Sequence, residues 1–251
     1  MNGEVVIRTC ESLHELEQCV VLQKEIWRFS DLEIVPLRLF VVARMIGGQV
    51  LGAFDDRRLL GYALAFPGNR QGRPYLHSHM LAVREEHQNS GLGRRLKLRQ
   101  REEALAQGYE LIEWTFDPLE IKNGYLNLAR LGAITRRYRE NQYGITSSAL
   151  QGGLPSDRLV AEWWLKSRRV EILLAEGRVP EQYAEERVSV PAEVYQWKRS
   201  PLDRGKALEL QSANRQRLQE LFARGLAAIG YERDAQGNGA FLLGKWDEGH
   251  L

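Results

Sequence analysis

Alternation of apolar and polar positions divides the first 170 residues of the chain into short strands and amphipathic helices. Their predicted order is β-α-α-β-β-β-α-β-α-β-β. The expected strands cover residues 4–9, 49–54, 59–66, 75–84, 111–116, 133–143 and 159–170. The expected helices cover residues 12–27, 37–46, 91–107 and 119–131, with a polar loop over 144–157. The pattern therefore predicts an α+β domain over residues 1–170.

The last third of the chain has a weaker pattern, and we expect it to form a separate α+β extension over residues 171–251. A charged linker or short helix is predicted first, followed by a strand, a long helix and two further strands. The corresponding ranges are 181–187, 193–199, 203–224, 227–233 and 239–246.

Composition excludes several classes of partner. The 251 residues carry a formal net charge of only +2, which gives no reason to expect binding to nucleic acid or to an anionic membrane. The two cysteines, Cys10 and Cys19, have neither disulfide-framework nor zinc spacing, so a reducing compartment is the simplest reading. No apolar run approaches the length of a membrane span. We therefore expect a soluble, cytoplasmic protein without a metal site.

Residues 81–96 contain the clearest chemical signal. An apolar strand ends at Val83, a polar turn follows, and Gly91 and Gly93 open an arginine-rich helix. Glycine lets a ligand approach the backbone, and the first N–H groups of a helix have no partners within the helix. The helix dipole adds partial positive charge at that end. This arrangement predicts a phosphate-binding cradle.

The same stretch resembles the acyl-CoA signature Q/R-x-x-G-x-G/A of the GNAT N-acyltransferases, here as Gln88-x-x-Gly91-x-Gly93. Asp117-Pro118 and residues 127–133 resemble further family positions, as do 77–88 and 114–119 for a little-characterised subgroup. The resemblance implies a mixed, mostly antiparallel sheet with helices on both faces. It also implies that Leu81 and Val83 hold the pantetheine of the cofactor by backbone bonds. The cradle for the CoA pyrophosphate would comprise Gln88, Asn89, Ser90, Gly91, Leu92, Gly93 and Arg94.

A base must deprotonate the ammonium group of the acceptor, because only the neutral amine attacks a thioester. Strand alternation places His77, His79, Leu81 and Val83 on one face, and histidine titrates near neutral pH. Glu113 on the next strand is the carboxylate candidate. Each histidine could equally be a hydrogen-bonded structural residue.

Many family members also have a tyrosine four residues before the glycine of a Gly-Phe pair. This tyrosine protonates the leaving thiolate. Gly132 makes that position Leu128 here, and Tyr125 is the nearest substitute. Asn123 and Asn127, four residues apart on the predicted helix, are expected to share a face and to bond the pantetheine or the substrate.

The sequence thus predicts an acyl-CoA-dependent N-acyltransferase that acts on the amine of a small molecule such as an amino acid. Acetyl-CoA is the default donor, and no residue excludes another acyl-CoA such as succinyl-CoA. The alternatives are a catalytically idle acyl-CoA-binding module and an enzyme that modifies RNA or protein. Residues 171–251 read either as a degenerate half of a GNAT domain or as an unrelated cap, and the former could form a homodimer contact.

Overall fold

The computed structural model describes residues 4–180 and 184–246. The chain divides into two compact units, Met1–Glu113 with Ser147–Ala149, and Trp114–Thr146 with Leu150–Leu251. The division falls within a strand, and the sequence-based boundary at residue 170 remains a prediction. None of the helices in the described ranges is long and apolar enough to cross a membrane.

The first unit is a twisted sheet with helices on both faces, as predicted. Its strands follow the spatial order β1-β2-β3-β4-β5, and all neighbours are antiparallel except the parallel pair β4 and β5. The strands are β1 Val6–Thr9, β2 Gln49–Asp55, β3 Arg58–Arg70, β4 Arg73–Val83 and β5 Leu111–Phe116, whose end belongs to the second unit. The helices are α1 Leu13–Trp27, α2 Leu37–Met45 and α3 Leu92–Ala106.

Two apolar layers fix these helices against the sheet. Side chains of α1 and α2 share a core with Tyr62, Met80 and Ala82 on one face of the sheet. On the other face, Leu92 and Leu96 of α3 share a core with strand residues that include Leu51, Leu60 and Leu81. Burial of this apolar surface is the main stabilising contribution to the unit.

Local signals set the start of α1 as the sequence predicts. Ser12 Oγ accepts the N–H of Glu15 at 3.2 Å, and the Glu15 carboxylate accepts the N–H of Ser12 at 3.2 Å. This reciprocal capping box satisfies two N–H groups that a helix start leaves free. Both cysteines, Cys10 and Cys19, are buried and free.

The hairpin of β3 and β4 is longer than predicted. The strands were expected to cover 59–66 and 75–84, but β3 continues to Arg70, β4 begins at Arg73, and the turn is only Gln71-Gly72, both with positive φ. Pro67 was expected to end the strand, but it lies within β3. Because β2 begins opposite Ala65, β3 has no partner strand on that side at Pro67. Proline is tolerated where a strand edge needs no donor.

The second unit is antiparallel, with the spatial order β7-β6-β9-β10-β8. Its strands are β6 Ile134–Arg139, β7 Arg158–Trp164, β8 Glu186–Val190, β9 Leu226–Arg233 and β10 Gly239–Lys245. Its helices are α4 Ile121–Gly124, α5 Arg168–Glu176, α6 Val194–Arg199 and α7 Arg204–Ala223.

Two predictions for this unit were wrong, and a third was wrong only at its end. The strand expected over 159–170 ends at Trp164, and α5 follows it with Ser167 at its N-cap. The strand expected over 193–199 is instead the helix α6. Its buried residues, Val194 and Lys198, are four apart, which is the spacing of a helix face and not of a strand. Strand β8 overlaps only the last two residues of the linker or short helix expected over 181–187, and residues 181–183 of that prediction fall outside the described range.

The predicted helix over 119–131 is also different: α4 continues as a π-helix over Tyr125–Arg130. The buried Arg169 of α5 holds the end of this π-helix. Its guanidinium donates to the carbonyl oxygens of Gly132 at 3.0 Å and Leu128 at 3.2 Å, and also to that of Ile229. One side chain therefore satisfies carbonyl groups from two elements of the unit.

We predict that Arg169→Met destabilises the protein by about 3 kcal/mol, because it leaves several buried carbonyls without a donor. Urea unfolding monitored by circular dichroism measures the effect. The exposed neighbour Arg168 supplies the control, and Arg168→Met should leave the unfolding midpoint nearly unchanged. Equal effects of the two substitutions would contradict the structural role of Arg169.

Candidate active site

The turn between β4 and α3 is ordered by its own hydrogen bonds. The side-chain amide of Gln88 donates to the carbonyl oxygen of Val83 at 3.1 Å, and Ser90 Oγ donates to that of His87 at 2.6 Å. Asn89 and Gly91 both adopt positive φ, at 61° and 87°. These contacts direct the chain from the strand into the first turn of α3.

The start of α3 is open to a ligand. Gly91 is the N-cap, no side chain caps the helix, and no acidic residue lies in its first turn. The first intrahelical bond runs from the Arg95 N–H to the Gly91 carbonyl at 3.0 Å, so the N–H groups before it face the helix end. A Cβ atom at Gly91 would meet no atom within 4 Å, and one at Gly93 would only touch Leu81 and Val83 at 3.8 Å. The residues fit an anionic group.

The edge of β4 beside this turn has backbone groups that a ligand can use. Among the described residues, β4 pairs with β5 only at Leu76 and His77. On the other side, the Arg84 N–H donates to the Leu60 carbonyl at 2.8 Å. Because antiparallel pairing alternates, Leu81 and Val83 direct their backbone groups away from β3. The Val83 carbonyl is already bonded by Gln88, which leaves Leu81 as the main backbone contact.

A β-bulge corrects the predicted arrangement of the histidines. Leu64 lies opposite Met80 and Ala65 opposite Ser78, so His79 is an extra residue in β4. A bulge breaks the alternation of faces. Phe66 is close to both histidines: it lies opposite His77 in the register, and its ring centroid is 5.8 Å from that of His79. The centroids of the two imidazole rings are 6.1 Å apart.

Phe66 packs on the core of α1 and α2, whereas Leu81 and Val83 pack on the α3 side. The expectation that His77, His79, Leu81 and Val83 share one face was therefore wrong.

Both histidines are held in the neutral form. Burial lowers the pKa of His77 to about 4, and the neighbouring His79 contributes to the shift. The positive charges of Lys97 and Arg70 lower the pKa of His77 further. Burial also lowers the pKa of His79. A neutral imidazole can accept a proton, so both residues have the protonation state that a general base needs.

Glu113, the carboxylate candidate for the base, is engaged in an ion pair. Its side chain is buried, lies opposite His77 in the β4–β5 register, and is bonded by the guanidinium of Arg70. Arg70 in turn lies 5.1 Å from the ring centre of Tyr75. Because Arg70 already engages the Glu113 carboxylate, the histidines are the stronger candidates for the base.

The candidate residues of the second unit do not form one surface. Asn123 is exposed, whereas Asn127 is buried, so the prediction that they share a face was wrong. The π-helix has a wider turn than an α-helix, which moves residues four apart out of alignment. Tyr125 is half-buried, with the Arg233 guanidinium 5.8 Å from its ring centre. Leu128, at the position of the usual tyrosine, is fully buried.

Lys97 and Ser78, which lie beside the histidines, were not identified as candidate site residues from the sequence. Lys97 of α3 is 2% exposed, and its Nζ lies 3.0 Å from Ser78 Oγ on β4. A lysine in an arginine-rich helix gives no sequence signal of burial.

No group of three or more potential metal ligands occurs within the part of the chain that the structure describes.

Comparison with known proteins agrees with the geometry. Residues 13–123 match the model of the acetyltransferase (GNAT) family. These residues therefore form a GNAT acetyltransferase domain, whose activity class is N-acetyl transfer with an acyl-CoA as co-substrate. A search of curated proteins finds no match to this chain.

Solved structures resemble the fold of this domain at low sequence identity. A GNAT-family protein from Desulfovibrio desulfuricans is 15% identical, with a TM-score of 0.52 over 64% of this chain and 99% of its own. A Salmonella typhimurium protein solved with its cofactor acetyl-CoA is 18% identical, with a TM-score of 0.54 over 66% and 96%. Naa50 of Arabidopsis thaliana, in complex with the bisubstrate analogue CoA-Ac-MVNAL, is 12% identical, with a TM-score of 0.50 over 63% and 97%.

The low pKa of His77 predicts a loss of stability in acid. As the pH falls below about 6.5, the unfolded state binds a proton at this residue, whereas the folded state does so only near pH 4. The free energy of unfolding should therefore fall across that window. Between pH 7 and pH 5 the contribution of His77 is at most about 2 kcal/mol.

Urea unfolding of His77→Asn at these two pH values checks this, because the variant should lose less stability than the parent. His14→Asn, at an exposed site, is the control and should behave like the parent. An identical pH dependence in His77→Asn and the parent would contradict the assignment.

Proposed function

We propose that the protein transfers an acetyl group from acetyl-CoA to the amine of a small molecule such as an amino acid. The observation that carries the proposal is the sequence of features along β4 and α3. A strand with two neutral histidines leads, through a turn over residues 84–90, into a helix start that no side chain caps. A phosphate cradle and a proton acceptor thus lie on consecutive elements.

In the proposed reaction, residues 88–94 bind the CoA pyrophosphate, mainly through backbone N–H groups at the start of α3. The backbone of Leu81 binds the pantetheine at the open edge of β4. The thioester supplies the acyl group. His79, which is the more exposed histidine, takes the proton from the acceptor ammonium, directly or through a water molecule, and His77 is the second candidate. The neutral amine then attacks the carbonyl carbon, the carbon–sulfur bond breaks, and the proton that the new amide nitrogen loses passes to the departing thiolate, directly or through water.

Two loops of the first unit are hydrogen-bonded to each other. In the first unit, the Ser147 N–H donates to the Glu33 carboxylate at 3.1 Å, and the Ser30 N–H donates to Ser147 Oγ at 2.8 Å. The stretch Ser147–Ala149 is thereby bonded to the loop between α1 and α2. We propose that the acceptor binds beside these two loops.

A catalytically idle acyl-CoA-binding module is the second candidate. Two observations favour it: Leu128 replaces the usual tyrosine, and Arg70 engages Glu113. Such a module would bind CoA but release no thiol in the presence of any amine.

We predict that Gly93→Asp raises the Kd for CoA at least about tenfold, because its carboxylate would face the pyrophosphate at the helix start. Folding should be retained, since an acidic side chain is favourable in the first turn and a Cβ atom fits there. Isothermal titration calorimetry measures the change. Gly93→Ala is the matched control, with an affinity close to that of the parent. Unchanged affinity in Gly93→Asp would exclude the cradle.

A thiol-release assay with acetyl-CoA and succinyl-CoA, against a library of amines and amino acids, tests the reaction. We expect turnover with acetyl-CoA and a small amine, and a fall in kcat of about a hundredfold or more in the variant that lacks the base, His79→Asn or His77→Asn. CoA affinity should remain close to that of the parent in both variants. CoA binding without turnover would support the idle module, and full activity in both variants would exclude the histidines as base.

A further inference from the structure

Lys97 is an unusual residue for the interior of a domain. It lies on α3, and its Nζ donates to Ser78 Oγ at 3.0 Å and to Gln100 Oε1 at 2.7 Å. Lysine is rarely buried, because removing an ammonium group from water is costly. An apolar side chain of similar length would pack at this position without that cost. The lysine therefore points to a requirement other than packing.

Its partner Ser78 lies at the point where β4 changes face. Ser78 directly precedes His79, the extra residue of the bulge. Its hydroxyl group is bonded from the α3 side, whereas the ring of His79 packs against Phe66 on the opposite side. The bond between Lys97 and Ser78 thus fixes the last regular residue before the bulge, and with it the direction in which His79 leaves the strand.

The same helix carries the proposed CoA cradle. Gly93 and Lys97 are four residues apart, so they lie about one turn, roughly 6 Å, apart on the same side of α3. We propose that Lys97 is a positioning residue that, through Ser78, holds the β4 bulge and sets the histidines relative to acyl-CoA bound at the start of α3. This inference rests on the function proposed above.

The charges around His77 agree with such a link. Burial keeps the pKa of Lys97 well below its ordinary value, and the ammonium form of Lys97 lowers the pKa of His77. His77 is also faced by His79 of its own strand, by Arg70 of β3, and by Glu113 of β5 in the pairing register. Removal of Lys97 should therefore raise the pKa of His77.

The test compares four variants of the full chain: Lys97→Met, Ser78→Ala, Ser78→Thr and Arg99→Met. Arg99 lies on the exposed side of α3 and pairs with Glu102 and Glu103, so its variant controls for loss of positive charge. We expect Lys97→Met and Ser78→Ala to lower kcat at least tenfold while the Kd for CoA changes less than threefold. Ser78→Thr keeps the hydroxyl group and should retain activity, and Arg99→Met should match the parent.

A second readout does not depend on turnover. In NMR titrations of the ring protons, assigned with His77→Asn and His79→Asn, the pKa of His77 should rise by about half a unit or more in Lys97→Met. If the parent protein transfers no acyl group, the proposed function fails, whereas this titration still decides whether Lys97 acts on His77. Parent-like kcat in Ser78→Ala together with an unchanged pKa of His77 in Lys97→Met would overturn the inference. Circular dichroism shows whether each variant folds, and Ser78→Ala carries the kinetic test if Lys97→Met does not.

Discussion

The packing of α3 against β4 is the constraint on which the candidate site depends. Leu92 and Leu96 anchor the helix to the apolar face of the sheet, and Lys97 bonds it to Ser78. The first turn of the helix can then bind an anion without a capping side chain, because tertiary contacts one turn later keep that end from fraying. Protein-made caps would compete with a ligand for the same N–H groups, so their absence at Gly91 is consistent with binding rather than with helix stability.

The neutral histidines show how stability and chemistry oppose each other. Burial and nearby positive charge favour the uncharged imidazole, which is the form that accepts a proton. The same environment makes His77 a weak base, since its pKa of about 4 lies well below neutral pH. His79 is more exposed and its pKa is lowered by burial alone, so its proton affinity is less reduced by neighbouring charges. This difference is why His79, rather than His77, is the first candidate for the base.

The sequence predicted the first unit well because its signals are local. Ser12 with Glu15, the two glycines at 91 and 93, and the strand alternation all depend on residues close in the chain. The bulge at His79 could not be predicted, because it arises from the register between β3 and β4. Burial of Lys97 and the ion pair of Arg70 with Glu113 likewise depend on contacts between distant residues. The helix α5 was missed because Arg169 reads as a polar strand position until its bonds to the π-helix are known.

The replacement of the usual tyrosine by Leu128 does not by itself argue against acyl transfer. An aliphatic thiol has a pKa of about 8.5, so its thiolate is a stable leaving group near neutral pH and takes a proton from water without assistance. The amine is the harder problem, because an alkyl ammonium group loses its proton only near pH 10. The proton acceptor proposed on β4 would therefore act at the step that needs assistance, and the proposed mechanism requires no acid at position 128.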